Sequence, residues 1–420
     1  MKKLQLKKRG STLPLALIAL VLLILIGMSL LSQGLNARVY SIRTSSDIAA
    51  QCAADAGLTK ALYEMNQKLK VIPWNDTVLP AATYSSLTDC DASYSYTVTG
   101  NLASGYVVTS TGVSGNATRV VRATLGLKGV FDHAILTKNT MILKADTVID
   151  GYNSADPLDT DITVDIGCQS TSDSSIVLNN NVKVDGNVLV GIGGDPDSAI
   201  KDLGATVSGD MRASTILDPM PVITPPTLPN MRTSITAKGD IVTLTSADSG
   251  IYTAIDLQKG KKNTVLEISE GDVELYITGN IELDQDCDII VKDGATLTIY
   301  IDGNILCREG SGINTEAPPE EASTLQLYAT GKGDQCLDVK AKSKWTGTIY
   351  APNGDVILYA NGDAYGSVVA DNFEYKNGGD FHYDEALRDT VTIEDTGVSF
   401  AVQRWDEGKS VSFASASLTD

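Results

Sequence analysis

The side chains that could take part in catalysis are mostly carboxylates, and histidines are rare in this sequence. There are two histidines, His133 and His382, against 52 acidic residues. His382 could act as a general base paired with the nearby Asp384. The alternative is that His382 is a packed or capping residue at the end of the β-domain. Most acids flank turn residues, where Asp forms local hydrogen bonds. We therefore predict no enzymatic activity; the alternative is a β-helical enzyme that acts on polysaccharides through paired carboxylates.

Three carboxylates at alternate positions define the main candidate metal site in the sequence, and Asp156, Asp159 and Asp161 form a looser loop cluster. The alternating carboxylates belong to the run Asp284-Gln285-Asp286-Cys287-Asp288. On a β-strand these three side chains would share one face, and carboxylate oxygens are the ligands that Ca²⁺ prefers. The run is not an EF-hand loop, because Ile289 stands where that loop requires Gly. Calcium is therefore the single cofactor prediction, and solvated turn acids are its alternative.

The six cysteines show no CxxC spacing, so zinc-ribbon and thioredoxin-like sites are not indicated. In an exported chain they could form disulfides, and free buried thiols are the alternative. We predict one pair between Cys52 and Cys90. A second pair is predicted among Cys287, Cys307 and Cys336.

Charge is distributed unevenly along the chain. Residues 1–10 hold five basic side chains and no acid, whereas the other 410 residues hold 28 basic and 52 acidic ones. A surface this negative repels phosphate backbones, so we predict no nucleic-acid partner.

An uncharged apolar run covers residues 13–31. Nineteen helical residues span about 28 Å, close to the hydrocarbon thickness of a bilayer. Because the basic residues precede this run, we expect residues 1–10 to be cytoplasmic and the bulk of the chain to lie outside the cytoplasm. A cleaved signal peptide is disfavoured by the length of the run and by a poor cleavage site, while a plain signal anchor remains adequate.

The junction before the apolar run resembles the prepilin-peptidase site of type IV pilins and type II secretion pseudopilins. Its residues are Lys7, Lys8, Arg9, Gly10 and Ser11. The resemblance implies that a prepilin peptidase cuts between Gly10 and Ser11 and leaves the apolar helix on the mature protein. Those families usually have Glu at the fifth mature position, where this chain has Leu15, so the resemblance points to a minor subunit.

The apolar run is predicted to continue as one helix over residues 11–70. No Pro interrupts residues 35–69, and apolar residues recur every three to four positions as in an amphipathic helix. The segment AADAGLTKALYEMNQ (53–67) resembles a stretch common in PilX-like proteins. The side chains predicted to contact the membrane, and then other pilin-like subunits, are Leu13, Leu15, Leu17, Leu20, Leu23, Ile26 and Leu30.

Residues 71–128 have short runs of Thr, Ser, Val and Tyr separated by Gly-containing turns, which predicts a small β-meander. After residue 129 the pattern becomes repetitive. VELYITGNIEL (273–283) and LTIYIDGNIL (297–306) repeat with a period of 24 residues. Such repeats predict a parallel β-solenoid, with a first part at 129–216 and a main part at 233–390. A β-sandwich is the alternative.

A Pro-rich segment at 217–232 separates the two parts. It is predicted to be either a hinge between two β units or a long loop packed along the outside of one solenoid. Residues 391–420 are predicted to be a C-terminal cap or tail. The predicted fold class is thus mainly β, with one long N-terminal helix.

The β part also resembles a domain of unknown function that follows PilX-type N termini in bacterial envelope proteins. The matching stretches include FDHAIL (131–136), GTIYAPNGDVIL (347–358) and FHYDEAL (381–387). The resemblance implies association with pilus-like assemblies. The sequence as a whole predicts a membrane-anchored minor pilin-like subunit with a β-helical head for adhesion or assembly, located in the cell membrane or a surface filament. A membrane-anchored adhesin or surface-layer component that never enters a filament is the alternative.

Overall fold

The computed structural model describes residues 12–69, 74–75, 77–102, 104–159, 162–215, 217–341, 344–360, 362–376, 379–389 and 396–408. The chain divides into two compact units. The first contains Met1–Gly126 and Phe400–Asp420, and the second contains Leu127–Ser399. The predicted class is confirmed: the chain is mainly β with one long N-terminal helix.

The N-terminal helix α1 extends over Thr12–Lys68, 57 residues. At 1.5 Å per residue it is about 85 Å long. Its sequence is rich in Leu and Ala, which favour helix, and Pro73 follows soon after its end. The prediction of one long N-terminal helix is therefore confirmed over Thr12–Lys68.

The first unit also contains a meander of four antiparallel strands. They are β1 (Ala81–Ser86), β2 (Ala92–Asn101), β3 (Gly105–Ser114) and β4 (Ala117–Lys128). Each strand pairs with the next in the chain, through Ala81↔Thr97, Val98↔Val108 and Tyr106↔Leu125 among others. The predicted β-meander is thus present.

The C-terminal half of α1 packs on this meander through small side chains. Ala50, Ala53, Ala54 and Ala61 are fully buried. A side chain on Gly112 of β3 would place its Cβ 2.0 Å from the carbonyl oxygen of Ala50. The backbones of α1 and β3 are therefore so close at Gly112 that no side chain fits between them.

The second unit is built from short strands with few helical residues. The strands of its first part are β5 (Ile135–Leu143), β6 (Val148–Tyr152), β7 (Val164–Cys168), β8 (Ile176–Leu178), β9 (Lys183–Val184), β10 (Gly186–Val190), β11 (Ile200–Asp202), β12 (Thr206–Val207) and β13 (Met211–Ala213). Those of its second part are β14 (Ile235–Lys238), β15 (Ile241–Thr245), β16 (Gly250–Tyr252), β17 (Ile255–Gln258), β18 (Thr264–Ile277), β19 (Ile281–Leu283), β20 (Cys287–Val291), β21 (Ala295–Ile301), β22 (Ile305–Cys307), β23 (Gly312–Ile313), β24 (Leu325–Ala329), β25 (Gln335–Ala341), β26 (Trp345–Ala360), β27 (Ala364–Lys376) and β28 (Phe381–Asp384). The helical segments are α2 (Pro196–Ala199), α3 (Ala386–Asp389) and the 3₁₀ turns Ser246–Asp248 and Pro319–Thr324.

The described strands of the second unit pair in parallel, and their register follows the sequence repeat. Val273 of β18 pairs with Leu297 of β21, which pairs with Leu325 of β24. The first of these steps equals the 24-residue period of the sequence. Alternate residues of β18, including Leu275 and Ile277, are fully buried in one continuous apolar core. An antiparallel β-sandwich does not fit parallel pairing, so that alternative is wrong.

The order of strands differs from the order of the chain. β27 pairs with β5 through Val368↔Ile135, and β28 pairs with β6 through Phe381↔Ile149. The first part therefore stacks on the last strands of the second part.

The Pro-rich segment lies between β13 and β14 in the chain and packs on the face of the sheet that carries Tyr300, Tyr328 and Tyr350. Ile223 is 4% exposed and belongs to an apolar cluster with Tyr300, Tyr328 and Tyr350. The hydroxyl of Tyr350 donates a 2.7 Å hydrogen bond to the carbonyl of Pro221. The segment is therefore packed on the sheet at Pro221 and Ile223.

The last strand, β29 (Ser399–Gly408), lies beside β4 in the meander sheet of the first unit. Asn66 of α1 holds it by accepting from the backbone N–H of Phe400 at 2.7 Å and donating to its carbonyl at 3.1 Å. The Phe400 ring also packs against Trp74 and Tyr106 at 5.6 and 5.2 Å. Within the predicted C-terminal cap or tail (391–420), residues 399–408 therefore form a strand of the meander sheet.

Candidate functional site

The N-terminal part of α1 exposes an uninterrupted apolar surface. The side chains predicted to contact membrane are 56 to 75% exposed in the described part of the helix: Leu15, Leu17, Leu20, Leu23, Ile26 and Leu30. The side chain of Leu13 and the processing residues Arg9, Gly10 and Ser11 lie outside what the structure describes. By length and composition this helix can cross a membrane, its most apolar 18-residue window having a mean hydropathy of 2.9. So large an apolar surface requires lipid or other helices to cover it.

The character of α1 changes near Asp47, the first acidic residue of the helix. Asp47 forms a bidentate ion pair with Arg119 of β4, and Arg119 also lies 3.7 Å from Glu407 of β29. From Ala50 onward one face of the helix is buried on the sheet. One helix thus combines an exposed apolar part with a part that belongs to a folded domain.

Comparisons with known proteins concern mainly the second unit. The family described as Domain of unknown function (DUF7305) matches residues 224–390. This is less than half of the chain, and it includes the FHYDEAL stretch on which the sequence resemblance partly depended. No curated protein matches the sequence.

Among solved structures, the crystal structure of the competence-associated pilin ComZ from Thermus thermophilus was found, at 12% sequence identity. The alignment covers 86% of this chain and 97% of that chain, with a TM-score of 0.27. A TM-score this low does not show a common fold, so it supports no argument about this chain.

The Asp-rich run 284–288 does not form the strand face that the calcium prediction assumed. Asp284 and Asp286 lie in the turn between β19 and β20, and only Asp288 is on a strand, where it is 2% exposed. Backbone N–H groups of Gln285 and Lys259 lower the pKa of Asp284, and the Lys259 ammonium lies 2.8 Å from Asp286. The shared strand face is therefore wrong, and these carboxylates already have protein partners. Calcium binding here stays a prediction.

All six cysteines are free thiols in the structure, so the predicted pairs of Cys52 with Cys90 and among Cys287, Cys307 and Cys336 are not formed in it. Cys52 and Cys90 are exposed, whereas Cys287 and Cys307 are buried in the apolar core. Burial raises the pKa of Cys307 to about 12. This thiol is therefore protonated at neutral pH and behaves as a small apolar core residue.

His382 lies in a row of polar side chains across three neighbouring strands. Tyr365 of β27, His382 of β28 and Asp150 of β6 are register neighbours. The imidazole stacks on Tyr365 at 4.6 Å and forms a short contact from Nδ1 to Asp150, with Asp363 3.8 Å from Nε2. Burial lowers the pKa of His382, but the hydrogen bond to Asp150 and the charges of Asp150, Asp363 and Asp380 outweigh it, so the pKa is raised.

Asp384, the partner considered for His382 from sequence, has other contacts. Its carboxylate accepts from the backbone N–H and hydroxyl of Ser154, at 3.0 and 2.7 Å, and from the N–H of Ala386. Asp384 therefore secures a loop and the start of α3. The pairing of His382 with Asp150 was not visible in the sequence, because the two residues are 232 positions apart.

The Asp150→Asn substitution is expected to lower the pKa of His382 and to weaken the protein below pH 6. Because the folded-state pKa of His382 is raised, protonated His382 stabilises the fold fully below the unfolded-state pKa of about 6.5, and this stabilisation is lost as the pH rises through the folded-state pKa. Loss of the charged hydrogen bond should cost about 1 kcal/mol at pH 5.5 and much less at pH 9. Histidine NMR titration and unfolding at both pH values measure the effect.

The control is Asp293→Asn, which removes an exposed carboxylate in a turn. It should leave the His382 titration unchanged. Equal pKa values for His382 in the wild type and in Asp150→Asn would contradict the assigned pairing.

A second polar cluster lies where the second unit begins, and sequence analysis did not identify it. Lys128 contacts Asp132 at 2.8 Å and Asp218 at 2.7 Å. His133 is 5% exposed, and its Nε2 lies 3.6 Å from Asp218. Within the described residues, Asp132, His133 and Asp218 are the group whose ligand atoms are close enough to hold a metal ion, within 4.8 Å of one another. The only signal in the sequence was the adjacent pair Asp132-His133.

Proposed function

We propose that this protein is a non-enzymatic, membrane-anchored, pilin-like minor subunit of a pilus- or pseudopilus-type assembly. The observation that supports this most is the division of α1 into two parts. Its first part exposes leucines and isoleucines to the surroundings, and its second part packs through Ala50, Ala53, Ala54 and Ala61 on the meander. The first part of such a helix can be embedded in a bilayer and can also pack among the apolar helices of other subunits. The second part stays packed on the meander in both cases.

The N-terminal residues support processing and orientation. The Lys7-Lys8-Arg9-Gly10-Ser11 junction resembles a prepilin-peptidase site, and five basic residues precede the apolar run. With these residues cytoplasmic, the folded units lie outside the cytoplasm. The peptidase and other pilin-like subunits are the partners that follow from the proposal.

The second unit is proposed to be a parallel β-solenoid that serves adhesion or assembly. Support comes from the parallel pairing of successive repeats, such as Ile281 with Ile305 at the 24-residue period. The stacked corners agree with it: a Cβ on Gly303 would lie 2.3 Å from the carbonyl oxygen of Gly279. Such stacking leaves no room for a side chain and is expected where turns of a solenoid lie directly above each other.

N-terminal mass spectrometry of the protein isolated from native membranes tests the proposal. A mature chain that starts at Ser11 supports the pilin route, and a Gly10→Leu variant should then keep residues 1–10. A chain that starts near residue 35 would show a cleaved signal peptide and contradict membrane anchoring by α1. An intact N terminus in the wild type would favour the alternative, an anchored adhesin or surface-layer component outside any filament.

A further inference from the structure

The cluster at the beginning of the second unit has the composition and spacing of a divalent metal site. Asp132 and His133 precede β5, and Asp218 belongs to the Pro-rich segment. Metal–ligand bonds of about 2.1 Å bring ligand atoms to about 3 to 3.5 Å from each other. Since the three ligand atoms are already within 4.8 Å, side-chain rotations of about 1 Å would complete the site. The cleft beside them has a volume of about 10 Å³, which holds one water-sized ion.

His133 is the observation that points to a ligand. Its side chain is 6% exposed, Nδ1 has no hydrogen-bond partner, and Nε2 at 3.6 Å from Asp218 is too far for a hydrogen bond. A buried polar group without a partner is disfavoured, so such groups usually have a ligand, a proton partner or a bound ion. Nε2, the imidazole nitrogen that lies toward Asp218, is therefore the atom that would bind an ion shared with the two carboxylates.

Hydrogen bonds to the sheet already fix the backbone conformation around the cluster, so this conformation need not change when an ion binds. The carbonyl of His133 accepts from the hydroxyl of Ser367 at 2.6 Å, and the N–H of Ala134 donates to the backbone carbonyl of Asp165 at 3.0 Å. The carbonyl of Asp218 accepts from the side chain of Gln169. Ligands on a fixed backbone lose little conformational freedom when an ion binds.

Charge in the cluster also favours a divalent cation. Two carboxylates face a single ammonium, that of Lys128, which lies 2.8 and 2.7 Å from them. With a neutral imidazole the group has a net charge of −1. A divalent ion bound by the same carboxylates would neutralise both carboxylate charges. Lys128, whose side chain is 24% exposed, can then turn toward solvent.

The geometry points to a divalent transition-metal site formed by Asp132, His133 and Asp218, in which the Lys128 ammonium occupies the cation position until the metal displaces it. Two oxygen ligands and one imidazole nitrogen suit ions such as Mn²⁺, Fe²⁺ or Zn²⁺. The bound ion would join the Pro-rich segment to the start of β5. The site is independent of the pilin-like role proposed above.

Titration of the full-length chain in detergent with Mn²⁺, followed by the EPR signal of free Mn²⁺, tests this inference. Mn²⁺ is chosen because it binds thiols weakly, and the chain has six of them. The wild type should bind one ion that raises the Tm. The Asp132→Asn/Asp218→Asn variant should lose this ion. The Lys128→Gln variant should bind it at least tenfold more tightly, because no internal cation competes.

Two matched variants separate the site from general acidic attraction. Asp240→Asn/Asp293→Asn makes the same change of charge at exposed positions outside the strands, and Lys144→Gln removes the lysine paired with Glu374. Neither should change Mn²⁺ binding at the cluster. The inference is overturned if the wild type binds no ion that the Asp132→Asn/Asp218→Asn variant lacks. It is also overturned if Lys128→Gln binds Mn²⁺ no more tightly than Lys144→Gln does.

Discussion

The double substitution Leu20→Arg/Leu23→Arg is expected to abolish retention of the full-length chain in membranes. Both side chains are more than half exposed on α1, at 57 and 69%, in the middle of the apolar run. An arginine at the centre of a membrane helix costs about 2.5 to 3.5 kcal/mol on insertion scales, so two arginines should outweigh the favourable contribution of several leucines. Membrane fractionation and carbonate extraction measure the loss, and the soluble fraction should then contain the protein or its degradation products.

The matched control is Val39→Arg/Ile42→Arg on the same helix. These side chains are also exposed, at 44 and 57%, but they follow the apolar run and are flanked by Arg38 and Arg43. Long basic side chains near the end of a membrane segment can reach the polar interface at little cost. The control should stay in the membrane fraction. If both double variants were retained equally, α1 would not be the anchor.

Gly112→Val is expected to separate the C-terminal half of α1 from the meander. A Cβ at this position would lie 2.0 Å from the carbonyl oxygen of Ala50 and 2.4 Å from the backbone N of Ala54. Since both neighbours are backbone atoms of a helix, they cannot move aside as a flexible side chain would. The loss of this packing should reduce the free energy of unfolding of the first unit by about 3 kcal/mol or more.

Limited proteolysis of α1 around residues 50–65 measures this effect, together with thermal unfolding in detergent. Gly34→Ala is the control, because no atom lies within 4 Å of the added Cβ and alanine favours helix. It should be neutral or slightly stabilising. A Gly112→Val protein as resistant to protease as the wild type would show that the helix does not pack on β3 as described.

Elements whose signal is local could be predicted from the sequence. The helix followed from an apolar run and then a three-to-four-residue periodicity, and the observed Thr12–Lys68 differs by a residue or two from the predicted 11–70. The meander followed from short β-branched runs between Gly turns. The 24-residue repeat predicted which strands are neighbours within the main part, as Val273↔Leu297 shows. Each of these patterns is set by hydrophobic burial over a few neighbouring residues.

Only the tertiary structure decided which distant segments meet. It placed β5 beside β27, β29 beside β4, and the Pro-rich segment on a row of tyrosines. It also brought Asp150 to His382 across 232 residues and Asp218 to Lys128 across 90. Sequence patterns indicate which face of a helix or strand is apolar. They do not indicate which of several apolar faces or sheet edges it will pack against, because these look alike in sequence. The choice among them depends on side-chain packing and hydrogen bonds at each contact, such as those of Asn66 with Phe400, and these exist only in the folded chain.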